Sequence, residues 1–231
     1  MLIISEIFGP TIQGEGALIG TPTVFVRTGG CDFRCSWCDT LHAVDKKYKD
    51  DWLTMSAQDV FEQVEQLSGG KPILVTLSGG NPATQDLSEL IKIGKAKGYR
   101  FAMETQGSVS APWFAMLDHL TLSPKPPSSK MRFDQVRFDT SLHNANNTNI
   151  SLKIVIADHT DLEWAGELKS QYPKLPLYLQ PCNLELKNTP SLEKLTTQTL
   201  NLVDEVLKRG WFDTSVLPQL HVYLWGNEKG V

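Results

Sequence analysis

The chain has 231 residues, room for one large domain or a domain with a small appendage. Hydrophobic residues make up 41% and charged residues 21%, the balance of a globular protein able to bury a sizeable core. The net charge of −4 argues against a nucleic-acid surface, which usually carries a basic excess. No stretch approaches the ~20 apolar residues needed to span a bilayer, and the opening MLIISEIFGP lacks the basic segment and long apolar run of a secretory signal. The expectation is a cytoplasmic protein with neither membrane nor nucleic-acid partners.

Leu2–Phe8 reads as a strand, Gly9–Pro22 as a Gly-rich loop and Thr23–Thr28 as a second, β-branched and aromatic strand that runs into Gly29-Gly30. A helix starts at Ser56, with Asp59 completing a capping box, Met55 and Val60 as a hydrophobic staple, and Gly69-Gly70 as the stop. Ile73–Leu77 is a buried strand ending in Ser78-Gly79-Gly80-Asn81-Pro82, followed by a helix over about Thr84–Lys97. Strands at Phe101–Glu104 and His119–Leu122 flank a short helix at Pro112–Leu117 and end in Thr105-Gln106-Gly107 and Ser123-Pro124-Lys125. Lys125–Asn149 is polar and irregular, with room for one short helix. Leu152–Ile156 and Pro176–Gln180 are strands with a helix around Leu162–Gln171 between them, Leu192–Arg209 is a long helix, and Leu220–Leu224 reads as a last strand. Strands alternating with helices imply an α/β fold with a parallel sheet, here a partial, open (β/α) barrel of about six parallel strands. In such a fold the loops after successive strands converge on one face, where chemistry is placed.

Three of the four cysteines lie in Cys31-Asp-Phe-Arg-Cys35-Ser-Trp-Cys38, at the end of the second strand. In a reducing compartment such a cluster reads as metal-binding or catalytic, not as a disulfide framework. Two occupants fit three thiolates. One is a structural zinc ion with His42 as fourth ligand; the other is a [4Fe–4S] cluster with one iron left open for a small molecule. Cys182 stands alone and reads as a small buried apolar residue.

The CxxxCxxC spacing, followed by SGGNP after the next strand, resembles the radical S-adenosylmethionine superfamily. IFGPTIQGEG before the first cysteine, TVFVR ahead of it, Cys38-Asp39-Thr40, then ETQG, SPK and the closing HVYLWGN resemble the 7-carboxy-7-deazaguanine synthases. The resemblance runs from about residue 4 to the C-terminus, with 126–149 unanchored, and implies a radical S-adenosylmethionine fold spanning 1–231 as a single domain whose C-terminal tail covers the active site.

By this resemblance Cys31, Cys35 and Cys38 hold a [4Fe–4S] cluster, and S-adenosyl-L-methionine takes the open iron. Trp37, Cys38, Asp39, Gly80, Ser123, Pro124 and Lys125 contact that cofactor. Ile12, Gln13, Gly14, Glu15, Arg27 and Ser78 contact the substrate, and Thr40 helps bind Mg²⁺. The implied reaction is radical ring contraction of 6-carboxy-5,6,7,8-tetrahydropterin to 7-carboxy-7-deazaguanine with loss of ammonia, on the route to queuosine. A flavodoxin- or ferredoxin-type electron donor and a homodimer are implied as well. Residue chemistry is compatible with these roles: Arg27 suits a carboxylate, Gln13 and Glu15 suit polar ring edges, and a Mg²⁺ that keeps most of its water needs few protein ligands.

Several residues keep two readings. Trp37 packs against the adenine or simply fills the loop, and Glu104 is a structural acid or moves protons. His221 is structural or touches substrate, and strand periodicity alone does not assign Arg27. Asn81 stands where the superfamily's acidic residue is usual, which leaves its role open. A glycyl-radical activating enzyme and a non-catalytic zinc or iron–sulfur module are the alternatives.

Overall fold

The computed structural model describes residues 1–186 and 189–231. The elements in chain order begin with β1 (Leu2–Ile12), β2 (Pro22–Thr28), α1 (Leu41–Val44), β3 (Leu53–Met55), α2 (Ala57–Leu67), β4 (Leu74–Gly79), α3 (Ser88–Ala96) and β5 (Arg100–Thr105). They continue with β6 (His119–Leu122), α4 (Gln135–Asn144), β7 (Asn149–Ile156), α5 (His159–Gln171), β8 (Leu177–Pro181), α6 (Leu192–Lys208), β9 (Thr214–Val216) and α7 (Leu220–Trp225). Short helical turns lie between them at Gly16–Leu18, Lys46–Asp51, Pro82–Thr84, Pro112–Met116 and Pro127–Ser129.

All nine strands form one sheet in the order β3-β1-β2-β4-β5-β6-β7-β8-β9. From β2 through β9 the neighbours run parallel, and β1 and β3 pair antiparallel at one edge. The two end strands do not pair with each other, so the α/β barrel is open, as its sequence implies, with seven parallel strands instead of about six. The extra strand is β9, three residues that periodicity does not detect.

Local sequence explains the framework. Ser56 Oγ accepts from the Asp59 amide, and the Asp59 carboxylate accepts from the Ser56 amide, completing the capping box of α2. Val60, Phe61 and Val64 then turn into the core at 0% exposure, and each such burial contributes roughly 1.5–3 kcal/mol. On β2, Val24, Val26 and Thr28 are buried on one face while Phe25 and Arg27 sit on the other, as the alternation predicts.

Three expectations need correction. The Gly-rich loop starts only after Ile12, because β1 continues through Gly9-Pro10 with a register shift against β2. The helix after SGGNP begins at Ser88, not Thr84: Asn81 caps a separate turn at Pro82–Thr84. After it the Gln85 side chain is pulled across to bond the backbone of Ile3 and Gly29. Leu220–Leu224 is helical, not a strand. Val222 is its buried residue, and Gly226 at φ +65° ends it.

Candidate active site

The strand ends, the cysteine loop and the C-terminal segment enclose a cavity of about 310 Å³. Its wall includes Cys31, Cys35 and Cys38, Ser78 at the end of β4 and Gly80 just after it, Glu104 on β5, and Lys125. Ile12, Gln13, Gly14, Glu15 and Arg27 come from β1, β2 and the loop between them. Gln219, His221, Val222 and residues 226–231 line the cavity from the tail.

The thiol side is held by weak hydrogen bonds: the Phe33 amide and Gln106 donate to Cys31 Sγ, and Thr40 Oγ1 lies near Cys38 Sγ. The three cysteines are half-buried and free. Burial pushes all three thiols up, Cys35 to about 11, with Lys125 the main opposing influence there. Cys182 is buried and free, as expected, with its thiol pushed up to about 12 by burial. Gly79 and Gly80 are dictated by close approach: a Cβ at Gly80 would collide with the Gly30 carbonyl, and one at Gly79 with the Thr28 backbone. This lets β4 end directly behind the cysteine loop.

A hydrogen-bond hub fixes the loop from below. Asn81 is fully buried and donates to Asp32 at 2.9 Å, while its carbonyl oxygen accepts from Thr105 Oγ1 at 2.8 Å and the Ala83 amide at 3.2 Å. Gln106 donates to Asp32 at 2.8 Å. Asn81 therefore faces protein groups on all sides, and a neutral amide suits a position that must both donate and accept. On the outer rim Trp37 Nε1 donates to Ser128 Oγ at 2.9 Å, and Ser128 in turn donates to the buried Asp161. Trp37 both lines the cavity and belongs to the loop's own packing.

On the β1–β2 side, Glu6 pairs with Arg27 Nε at 2.6 Å and with His42 Nε2 at 2.9 Å. Burial raises the Glu6 carboxyl, but the His42 hydrogen bond and the Arg27 charge override it and leave a net lowering. Phe8, stacked on Phe25, lies under the Arg27 guanidinium, whose Nη groups carry no protein hydrogen bond among the described residues. His42 is thus committed to Glu6 and does not complete a Cys₃His set.

The far side is an ion cluster. Lys153 of β7 contacts Glu15 Oε2 closely and lies 2.6 Å from Glu104 Oε1. Glu15 Oε1 accepts from Gln219 Nε2 at 2.8 Å and stands 4.0 Å from His221 Nδ1. Burial opposes charge on both Lys153 and Glu15. The carboxylates nevertheless hold the lysine well above its ordinary range, and Lys153 with His221 holds Glu15 well below the carboxylate range. His221 packs on Gly14, where any Cβ would collide with its ring.

Of the other sequence candidates, Thr40 Oγ1 lines the cavity 3.7 Å from Cys38 Sγ, and Asp39 lines it too. Ser123 and Pro124 are buried, and Ser123 reaches the site only by accepting from Lys125 Nζ at 3.1 Å. Sequence reasoning missed Lys153, Glu6 and Gln219. The signal for Lys153 was present: a lysine inside the apolar run Leu152–Ile156. Nothing local marks Glu6 or Gln219.

Among the described residues no group of three or more His, Cys, Asp or Glu side chains is gathered around a single-ion site. Among the described residues no helix is long and apolar enough to cross a membrane.

Comparison with known proteins places this cavity in context. The radical SAM superfamily profile matches residues 25–128, from β2 through the cysteine loop to the segment after β6. The 7-carboxy-7-deazaguanine synthase of Bacillus subtilis (strain 168) is 43% identical over 238 residues, covering 99% of this chain and 98% of that one. The synthase of the same name from Bacillus cereus is 41% identical over 233 residues, with the same coverage. The crystal structure of QueE from Escherichia coli shares the fold, with a TM-score of 0.69 at 24% identity over 95% of this chain and 94% of that one. The chain belongs to the 7-carboxy-7-deazaguanine synthase family, within the radical SAM superfamily of enzymes that work with S-adenosylmethionine and a [4Fe–4S] cluster.

Proposed function

We propose that this chain is a carbon–nitrogen lyase that converts 6-carboxy-5,6,7,8-tetrahydropterin into 7-carboxy-7-deazaguanine with release of ammonia. The observation that carries the reading is the joining, in one cavity, of three free thiols with an arginine and a glutamate suited to a carboxylated heterocycle. Donor chemistry fits the cluster: three half-buried thiols share one loop, and the nearby imidazole of His42 is occupied by Glu6. When bound, the cluster and S-adenosylmethionine supply reductive cleavage of the sulfonium and removal of a hydrogen atom from the substrate's C6.

The residues of the chain bind and orient. Cys31, Cys35 and Cys38 hold the cluster. Trp37, Asp39, the close-approach backbone at Gly80 and Lys125 border the cofactor, with Ser123 and Pro124 supporting Lys125. Arg27 has unengaged Nη groups for bidentate pairing with the substrate carboxylate. Gln13 and Glu15 read the ring edge, with Ile12, Gly14 and Ser78 as close walls. Glu104 is an acceptor beside them, held by Lys153. The Thr40 hydroxyl, whose described partner is the weakly bonding Cys38 thiol, is the protein ligand for a largely hydrated Mg²⁺ that would orient the substrate.

Residues 226–231 line the cavity, and in this reading the tail covers the bound substrate. A reduced flavodoxin or ferredoxin is the class of electron donor required. The protein works in the cytoplasm as a homodimer, as the resemblance to the family implies.

The test is anaerobic incubation of the reconstituted, reduced protein with S-adenosylmethionine, Mg²⁺ and the carboxypterin. The deazaguanine acid and ammonia should form in equal amounts. A colourless zinc-loaded protein, or intact carboxypterin with wild-type protein, would overturn the reading.

A further inference from the structure

Lys153 is the one charged side chain in the strand run Leu152–Ile156, and it is 4% exposed. Parallel pairing sets Glu104 of β5 beside Thr121 of β6, and Thr121 beside Ser151 of β7. Lys153, two residues on, shares the face of Ser151 and rises toward the same strand ends. Its ammonium meets Glu104 from β5 and Glu15 from the loop after β1. Both carboxylates line the cavity, while the lysine sits behind them.

Resting on the substrate reading above, we propose that Lys153 is a positioning residue: its ammonium anchors one oxygen of Glu15 and one of Glu104, so that both present acceptors to the donor edge of the substrate ring. Two carboxylates at this spacing in a half-buried site would otherwise share a proton, and one would become a donor facing a donor. The other groups facing Glu15 are Gln219, a neutral donor, and His221 of α7 at 4.0 Å. His221 contacts Glu15 and, among the described residues, no oxygen of Glu104, so it does not bridge the two carboxylates as Lys153 does. The ammonium keeps its charge through neutral and moderately alkaline pH, so the arrangement is insensitive to pH across the working range.

The test uses the reconstituted holoenzyme and the variants Lys153→Met and Lys153→Arg, measuring equilibrium carboxypterin binding against pH, with KM and kcat alongside. Wild-type affinity should be flat from pH 6.5 to 9. Lys153→Met should bind roughly 10- to 100-fold more weakly near neutral pH, the range for a lost hydrogen bond to a charged group. That variant should regain affinity as pH rises and the shared proton leaves, with normal iron content. Lys153→Arg should restore the flat profile. If Lys153→Met does not fold, the double variant Lys153→Met with Glu104→Gln removes the repulsion and should still bind more weakly than wild type, with a flat profile, since no second carboxylate remains to share a proton. Wild-type affinity and a flat profile in Lys153→Met, or wild-type affinity in the double variant, would overturn the role of Lys153. Failure of wild-type protein to bind the carboxypterin would instead overturn the proposed function.

Discussion

The two sides of the cavity are built on opposite principles. Around Cys31, Cys35 and Cys38 the thiols are held only by weak hydrogen bonds: the three, raised by burial, share a loop, and among the described residues no further His, Cys, Asp or Glu joins them as a metal-binding group. Around Glu15, Lys153 and Glu104 the charged groups satisfy one another before any ligand arrives. The difference teaches how one cavity serves two guests. A metal cluster supplies its own strong bonds, so the chain needs only free thiolates on a firmly held loop. A neutral ring edge supplies weak ones, so its acceptors must be oriented in advance.

The comparison can be broken at its open side first. Cys35→Ala should abolish turnover and lower iron content, because a cluster with only two protein ligands is not retained. On the paired side, Arg27→Ala should weaken carboxypterin binding roughly 10- to 100-fold, as expected for a charge-assisted bond, while iron content stays normal. Gly80→Ala forces a methyl group against the Gly30 carbonyl behind the cysteine loop. It should lower unfolding free energy by about 1–3 kcal/mol and slow cluster reconstitution, read by denaturant titration and absorbance.

The smallest effect concerns Glu6, whose carboxyl is held below its ordinary value of 4.5 despite burial, by His42 and Arg27. A lowered folded value means stability that is present above pH 4.5 and lost as pH falls through the folded value. Glu6→Gln should therefore flatten the dependence of the unfolding midpoint on pH below 4.5 and leave the alkaline side unchanged.

Much of this was legible in the chain. Turn chemistry after successive strands pointed to one converging face, and the loops SGGNP, ETQG and the cysteine loop do meet at the cavity. The capping box at Ser56 fixed the start of α2 to the residue. What escaped was non-local. β3 is three residues that form a strand only because Leu2–Ile4 lie alongside. α7 alternates apolar and polar residues over too short a span to separate a period of 2 from 3.6. Asn81 looked like a weakened acid, yet its surroundings (Asp32, Thr105 and the Ala83 amide) require an amide. Lys153 acquires its meaning from Glu15, which lies 138 residues away in the chain.

The division of labour between the two sides is tested most directly by a crossed measurement of iron content and carboxypterin affinity in Cys35→Ala and Arg27→Ala. The account predicts that Cys35→Ala loses iron and keeps its affinity for the pterin, while Arg27→Ala keeps iron and loses affinity. Iron and affinity falling together in both variants would contradict it.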